Sequence, residues 1–401
     1  MPEADRDGTV FQLEGPASAP VVVLVGSLGT TMSVWDHQLP ALLAWRRVLR
    51  VEHPGHGGAE VPEGEGSVEA LGRRVVRLLD RLGFPEVDFA GLSLGGLVGM
   101  WLASTYPGRV RCLALCCTAA SFAAPEVYLE RAKQVRASGT AGIVPAVVAR
   151  WFTDAFVSKN PVMAAEFAAM LQSVDPAGYA YCCEAVASAD FYSDLGRVGA
   201  PALVLAGGED PVVTVEMAGA TKKALPGSSL VVLAGGAHLA NVEVPRAFND
   251  ALVPHLIGSA PVRGEKARRE VLGDAHVERA LAGASQFTQP FQELLARWPW
   301  GEVWARPGLA VRERRLVTIG ILASLGRLDE LEMHVREAVA GGVGEDELQA
   351  VLFHVAAYAG VPAANSAFAV ADRVVRPRRP RAEPRPDLLL DSGGGFPEQR
   401  Q

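Results

Sequence analysis

Gly91-Leu92-Ser93-Leu94-Gly95-Gly96 decides how this chain reads, because it sets one serine between glycines where the apolar run Val87-Asp88-Phe89-Ala90 gives way to a longer one, Gly96-Leu97-Val98-Gly99-Met100-Trp101-Leu102-Ala103. The first run has the length of a strand. The second has the length of a buried helix, and it closes before Tyr106-Pro107. A G-x-S-x-G string at such a junction is the pattern of a nucleophile elbow, a sharp strand-to-helix turn that presents a serine hydroxyl and needs small neighbours where backbone passes close by. Five residues are a short signal, so the surroundings must carry the reading.

Outward from that serine, residues 20–115 alternate short β-rich runs with helical patterns, which implies parallel strands joined by helical crossovers. Val21-Val22-Val23-Leu24-Val25 is apolar throughout and suits a central strand ending at Gly26-Ser27-Leu28-Gly29-Thr30. Val48-Leu49-Arg50-Val51 follows, then a loop rich in glycine and histidine, His53-Pro54-Gly55-His56-Gly57-Gly58. Val68, Leu71, Val75, Leu78, Leu79 and Leu82 form a helical stripe over 67–82, and Val110–Leu115 reads as the strand after the elbow. From about 122 to 190 the strand signal stops and the sequence looks helical. Such an insert is expected as a cap over the strand carboxyl ends, where open α/β sheets bind ligands. Strands resume at Ala202–Ala206 and Leu230–Leu233.

A serine hydroxyl is a weak nucleophile near neutral pH and needs a base within hydrogen-bond reach and an acid to fix that base. Asp210, in Gly207-Gly208-Glu209-Asp210-Pro211, and His238, in Gly235-Gly236-Ala237-His238, follow in the order acid then histidine, each just past a strand. Ser93, Asp210 and His238 are the expected catalytic set. The competing reading makes Asp210 a helix N-cap and Glu209 the acid. An oxyanion would be met by the Leu94 amide and by an amide of Ser27-Leu28-Gly29, that of Leu28 being the expected one.

The 401 residues exceed one ordinary domain, and 49% hydrophobic against 21% charged residues allow two domains a core each. A formal net charge of −7 argues against nucleic acid as the main partner. Cys112, Cys116, Cys117, Cys182 and Cys183 lack C-x-x-C spacing and read as small buried thiols. The acidic first residues carry no apolar targeting core, and no apolar run nears the ~20 residues of a membrane span. A cytoplasmic protein without membrane attachment is expected. Residues 259–266, Ser-Ala-Pro-Val-Arg-Gly-Glu-Lys, look like a linker between a first domain, 1–258, and a second, 267–376. The second domain shows helical segments near 267–283, 288–304, 310–325, 328–340, 345–359 and 363–375, and no convincing strand. It has no dinucleotide, P-loop or metal-ligand motif, so neither cofactor nor metal is expected. Residues 377–401, rich in Pro, Arg and Gly, are expected to be a disordered tail.

Three longer strings resemble the 3-oxoadipate enol-lactonase branch of the α/β-hydrolases: Gly26-Ser-Leu-Gly-Thr-Thr-Met-Ser-Val-Trp35, Gly91-Leu-Ser-Leu-Gly-Gly-Leu-Val-Gly99 and Ala237-His-Leu-Ala-Asn-Val-Glu243. The similarity spans most of residues 10–257. It implies an α/β-hydrolase fold with a helical cap and hydrolysis of an enol-lactone to 3-oxoadipate in aromatic catabolism. The substrate carries a free carboxylate, and Arg150, beside Trp151 in the cap, is the candidate to hold it. The alternative for Arg150 is an exposed helix arginine.

Residues 267–375 are similar to 4-carboxymuconolactone decarboxylase through Arg268-Arg-Glu-Val-Leu-Gly-Asp-Ala-His-Val277, Trp300-Gly-Glu-Val-Trp304, Arg306-Pro-Gly-Leu309, Leu331-Glu-Met-His-Val-Arg-Glu-Ala338 and Tyr358-Ala-Gly-Val-Pro-Ala-Ala-Asn-Ser-Ala367. The resemblance implies an all-helical, carboxymuconolactone decarboxylase-like domain that assembles into homo-oligomers. Some relatives of that fold are peroxidases using a cysteine pair, but this stretch contains no cysteine. In 4-carboxymuconolactone the departing carboxylate sits on a carbon linked through a double bond to the lactone carbonyl, so the electrons left by CO2 can flow into that carbonyl, the substrate is its own electron sink and no cofactor is required. His334 is the expected proton-transfer group, with His276 and His354 as alternatives. Arg306, Arg312 and Arg314 are expected to bind carboxylates unless they pair with Glu302 or Glu313, and Trp300 and Trp304 are expected in the core.

Joined, the two resemblances imply a bifunctional enzyme of the protocatechuate branch of the β-ketoadipate pathway acting on small-molecule lactones. The alternative is a single-activity esterase or perhydrolase with a non-catalytic helical oligomerisation domain.

Overall fold

The computed structural model describes residues 2–122 and 124–376, and the expected tail, 377–401, lies outside them. The chain divides into two compact units: residues up to 270 together with 275–309, and residues 271–274 together with those from 310 onward.

The first unit is built on an eight-stranded sheet in the order β1-β2-β4-β3-β5-β6-β7-β8. The strands are β1 (Glu3–Ala4), β2 (Val10–Glu14), β3 (Val21–Val25), β4 (Arg47–Val51), β5 (Val87–Leu92), β6 (Val110–Cys116), β7 (Ala202–Gly207) and β8 (Ser229–Leu233). From β4 to β8 the neighbours are parallel, and β2 runs antiparallel to β4. β3 and β5 are buried at every residue because helices cover both faces, which is why β3 is a continuous apolar run rather than an alternating one and β5 is interrupted only by Asp88, which pairs with Arg46 and Arg111. The chain winds from β3 to β4 on one side and to β5 on the other, so the crevice at the carboxyl ends of β3 and β5 is a topological switch point. The two N-terminal strands were not anticipated from sequence.

The helix Leu94–Thr105 leaves β5 through the expected elbow. A side chain at Gly91 would place its Cβ 2.1 Å from the Gly95 carbonyl oxygen, and one at Gly95 would lie 2.2 Å from that of Val25. Both positions are therefore closed to anything larger than glycine. Between β6 and β7 the chain forms the helices Pro125–Ser138, Val144–Trp151, Asp154–Lys159, Pro161–Gln172 and Pro176–Ala187, a helical cap as expected. A bridge between Ser121 and Asp190 closes its base.

The stretch 259–266, expected as a linker, is helical from Ala260 within the helix Ala260–Leu272. The single segment expected over 267–283 is broken at Gly273, whose φ of +76° no helix accommodates, and resumes as Asp274–Ala282. Residues Ala296–Trp304 wind as a π-helix around Pro299, and Trp300 is buried with its ring stacked on Trp304. In the second unit the helices Val311–Ser324, Leu328–Ala340, Glu345–Ala359 and Val361–Val375 pack on one another around Ile319, Leu331, Val335, Leu352 and Val370. All five cysteines are buried and unbridged. Among the described residues no helix is long and apolar enough to cross a membrane, and no cluster of His, Cys, Asp and Glu could hold a metal ion.

Candidate active site

Ser93 heads the helix Leu94–Thr105 with φ +52° and ψ −112°, a conformation a serine adopts only when its surroundings impose it. Three contacts do so. The Ser93 amide donates to the Cys116 carbonyl at 2.8 Å, the Gly95 amide donates to the Gly26 carbonyl at 3.0 Å, and the Thr118 hydroxyl donates to the Ser93 carbonyl at 2.8 Å.

The structure brings Ser93, His238 and Asp210 together from the ends of β5, β8 and β7. His238 Nδ1 lies 2.9 Å from Asp210 Oδ2, and its Nε2 lies 2.9 Å from Ser93 Oγ. A carboxylate can only accept, so Nδ1 carries the proton and Nε2 is left as the acceptor for the serine hydroxyl. All three residues are buried. The other oxygen of Asp210 accepts the Val212 and Val213 amides at 2.7 and 3.0 Å. Asp210 thus closes a turn and faces the histidine at once, while Glu209 is exposed.

Of the two residues whose amides were expected to meet an oxyanion, Leu94 follows Ser93 directly and Leu28 lines the same pocket as Ser93 and His238. Leu94 is the first residue of its helix, where an N–H has no intrahelical partner. In the loop after β3, the Ser27 amide donates to Thr30 Oγ1 at 3.1 Å and the Gly29 amide to His56 Nε2 at 2.9 Å. The Leu28 amide between them is unused within the described residues. His56 is held in turn by its Nδ1, which donates to the Pro54 carbonyl at 2.8 Å, and His53 Nε2 donates to the Gly26 carbonyl at 2.9 Å. Burial pulls the His53 imidazole down to about 4 and that of His56 to about 3, the His53 ring adding to the latter. Both stay neutral and act as fixed braces.

Ser93 and His238 open into a pocket walled by Leu28, Tyr128, Arg131, Arg150, Trp151 and Tyr179. Arg150 and Trp151 are where the sequence reading put them. Burial and then the nearby Arg131 guanidinium lower the Arg150 pKa, as expected for two cations sharing one cleft. Tyr179 is buried with its hydroxyl beside Arg131, and burial pushes its phenol up. Arg131 was missed by sequence reasoning. It stands in the cap helix Pro125–Ser138 among other charged residues, and only the fold separates it from Arg136, which pairs with Glu184 on the surface.

Arg306 belongs to the first unit, its guanidinium 5.3 Å from the centroid of the Trp45 ring. Arg312 pairs with Glu347, which neither Glu302 nor Glu313 had suggested. Arg314 is half-buried on the helix Val311–Ser324. His334 is buried on the helix Leu328–Ala340, and His354 is exposed with its ring stacked on Tyr358. A groove on the second unit is lined by Glu345, Leu348, Leu352, Phe368, Asp372 and Arg376, and none of the expected residues borders it.

Comparison with known proteins matches two families to successive parts of the chain. Residues 20–245 match the family model of the alpha/beta hydrolase fold, and residues 289–373 that of the carboxymuconolactone decarboxylase family. The chain is 37% identical over 238 residues to 3-oxoadipate enol-lactonase 2 of Acinetobacter baylyi, covering 59% of this chain and 89% of that one. It is 47% identical over 114 residues to 4-carboxymuconolactone decarboxylase of the same organism, covering 28% of this chain and 85% of that one. The crystal structure of the enol-lactonase from Burkholderia xenovorans LB400 superposes with a TM-score of 0.61 at 36% identity, over 62% of this chain and 97% of that one. The chain therefore belongs to the α/β-hydrolase family through its N-terminal part and to the carboxymuconolactone decarboxylase family through its C-terminal part.

Proposed function

We propose that the chain catalyses two consecutive steps, decarboxylation of 4-carboxymuconolactone to 3-oxoadipate enol-lactone and hydrolysis of that lactone to 3-oxoadipate. The first is assigned to residues 267–376 and the second to residues 1–258. The observation that carries the reading is that one polypeptide contains nearly full-length relatives of two enzymes, named for a carboxylated lactone and for an enol-lactone.

For lactone opening, Ser93 Oγ attacks the lactone carbonyl as His238 Nε2 takes its proton and Asp210 holds the resulting imidazolium. The Leu28 and Leu94 amides receive the oxyanion. Collapse breaks the bond to the ring oxygen, His238 protonates the departing enol oxygen, and the enol relaxes to the ketone. Water, deprotonated by His238, then cleaves the acyl-serine. Arg131 and Arg150 hold the substrate carboxylate against the wall formed by Trp151, a task suited to guanidinium groups.

For decarboxylation, the carbon–carbon bond to the carboxylate breaks and its electrons pass through the conjugated double bond into the lactone carbonyl. His334 returns a proton to carbon, and Arg312 and Arg314 offset the substrate's negative charge. The exposed Phe353, Tyr358 and Val361 support a homo-oligomer formed through this unit that completes the pocket around His334. The cytoplasm is the compartment this chemistry fits.

The test is to supply 4-carboxymuconolactone to the full chain and identify products over time. Ser93→Ala should release CO2 at the wild-type rate while enol-lactone accumulates. No CO2 from either protein would reduce the second unit to an assembly module.

A further inference from the structure

The residues on both sides of His238 are fastened to one point of the cap. The Leu239 amide donates to the Trp151 carbonyl at 2.9 Å. The Ala237 amide donates to Glu243 Oε2 at 2.8 Å, and Glu243 Oε1 accepts the Thr153 amide at 3.0 Å and the Thr153 hydroxyl as well. Thr153 is the N-cap of the helix Asp154–Lys159, so its hydroxyl also accepts the Phe156 amide, at 3.2 Å. The stacked rings of Phe152 and Phe156, with Phe167 edge-on to both Phe152 and Trp151, stiffen this corner. Trp151 and Arg150 are at the same time a wall of the pocket.

We propose that Glu243 is a positioning residue for lactone opening, clasping the cap at Thr153 to the loop that carries His238. Glu243 is half-buried, stands five residues after the histidine and does not line the pocket into which Ser93 and His238 open. Its two oxygens satisfy three donors, and only a carboxylate can accept from all of them. Substrate seated against Arg150 and Trp151 therefore bears on a cap segment that is hydrogen-bonded on both flanks of the base. The distance from His238 to Ser93 and the position of the carboxylate-binding wall are set by one clamp.

The clamp rests on the hydrolase reading above, and its test separates the two. Glu243→Gln, Thr153→Val and Thr153→Ser are compared with wild type for kcat and KM on the enol-lactone and on p-nitrophenyl acetate, alongside the thermal midpoint. Glu243→Gln puts an amide N–H against a backbone N–H. It should lower kcat roughly 10- to 100-fold with KM changed less than about threefold, since misplacement of a catalytic group by a fraction of an ångström acts on turnover. Thr153→Val should follow it in the same direction and Thr153→Ser should restore activity. A drop in thermal midpoint with kcat unchanged would make Glu243 purely structural and overturn the clamp. If wild type ignores the enol-lactone but hydrolyses p-nitrophenyl acetate, the substrate assignment fails and the clamp is judged on the acetate ester. A wild type inert to both overturns the clamp together with the relay it serves.

Discussion

His56 accepts the amide of Gly29 on its Nε2 at 2.9 Å, across 27 residues of chain. That bond fixes the turn whose next amide back, Leu28, is the proposed oxyanion donor. Gly29 can offer the bond because its φ of +86° is open to glycine, and a side chain there would meet Leu171 at 2.7 Å. His56→Phe keeps a ring but deletes the acceptor. It should lower kcat for lactone opening roughly tenfold, less than the full value of an oxyanion donor because the amide itself survives. Steady-state kinetics with KM within about threefold of wild type is the expected outcome, and an unchanged kcat would sever the loop from catalysis.

The same loop makes stability depend on pH in two opposed ways. His53 and His56 titrate at about 4 and about 3 in the folded chain, against 6.5 when exposed. Unfolding therefore takes up protons below 6.5, and their contribution is intact above that pH and drains as pH falls towards 4 and 3, at most about 1.4 kcal/mol per pH unit for each proton. Glu52 is raised by burial from 4.5 to about 7. Its contribution is intact below 4.5 and is lost as pH rises through 7. Glu52→Gln keeps an oxygen for the Met32 amide, bonded at 2.8 Å, and removes the charge. The difference in thermal midpoint between variant and wild type should move in the variant's favour from pH 5 to pH 8.5, while His56→Phe should flatten the acid limb. A Glu52→Gln difference constant with pH would contradict the assignment.

Arg131 and Arg150 predict a split between charged and neutral substrates. A charge-assisted hydrogen bond from a guanidinium to a carboxylate is worth about 1.5–3 kcal/mol. Arg131→Ala and Arg150→Ala should each raise KM for the anionic enol-lactone roughly 10- to 100-fold. For p-nitrophenyl acetate, which has no carboxylate to hold, kcat/KM should stay within about threefold. Equal losses on both substrates would mean that the arginines support the cap and do not read the substrate.

How much of this was legible in the sequence follows from the range over which each feature is encoded. Gly91, Ser93 and Gly95 are readable because close backbone contacts excluded every larger residue, and Asp210 and His238 because each sits just past an apolar strand that betrays itself. β2 was passed over because it is short and half-buried, with polar residues at Gln12 and Glu14 interrupting its apolar positions. Arg131 and Glu243 were invisible for another reason: both are ordinary charged residues on helices, and what marks them is, for Arg131, a pocket shared with Tyr179, 48 residues away, and, for Glu243, hydrogen bonds from Thr153, 90 residues away. The expected group of arginines in the second domain rested on resemblance alone; in the structure Arg306 lies over the Trp45 ring and Arg312 pairs with Glu347.

Thr118 offers the sharpest check on the elbow itself. Its buried hydroxyl donates to the carbonyl of Ser93, the one residue of the centre held at positive φ, and that carbonyl also receives the Gly96 and Leu97 amides at 2.8 and 3.2 Å. Thr118→Val keeps the volume and the β-branch and deletes only the donor. Because two amides remain on the carbonyl, the loss of stability should be small, about 1 kcal/mol. The serine's backbone, however, is strained by about 1–3 kcal/mol and relaxes when a restraint is removed. Loss of activity should therefore exceed what stability alone conveys: kcat down roughly tenfold at a temperature where the variant is fully folded, and regained in Thr118→Ser. A variant that loses stability but turns over at the wild-type rate would show that the helix and the strand alone hold Ser93 in place.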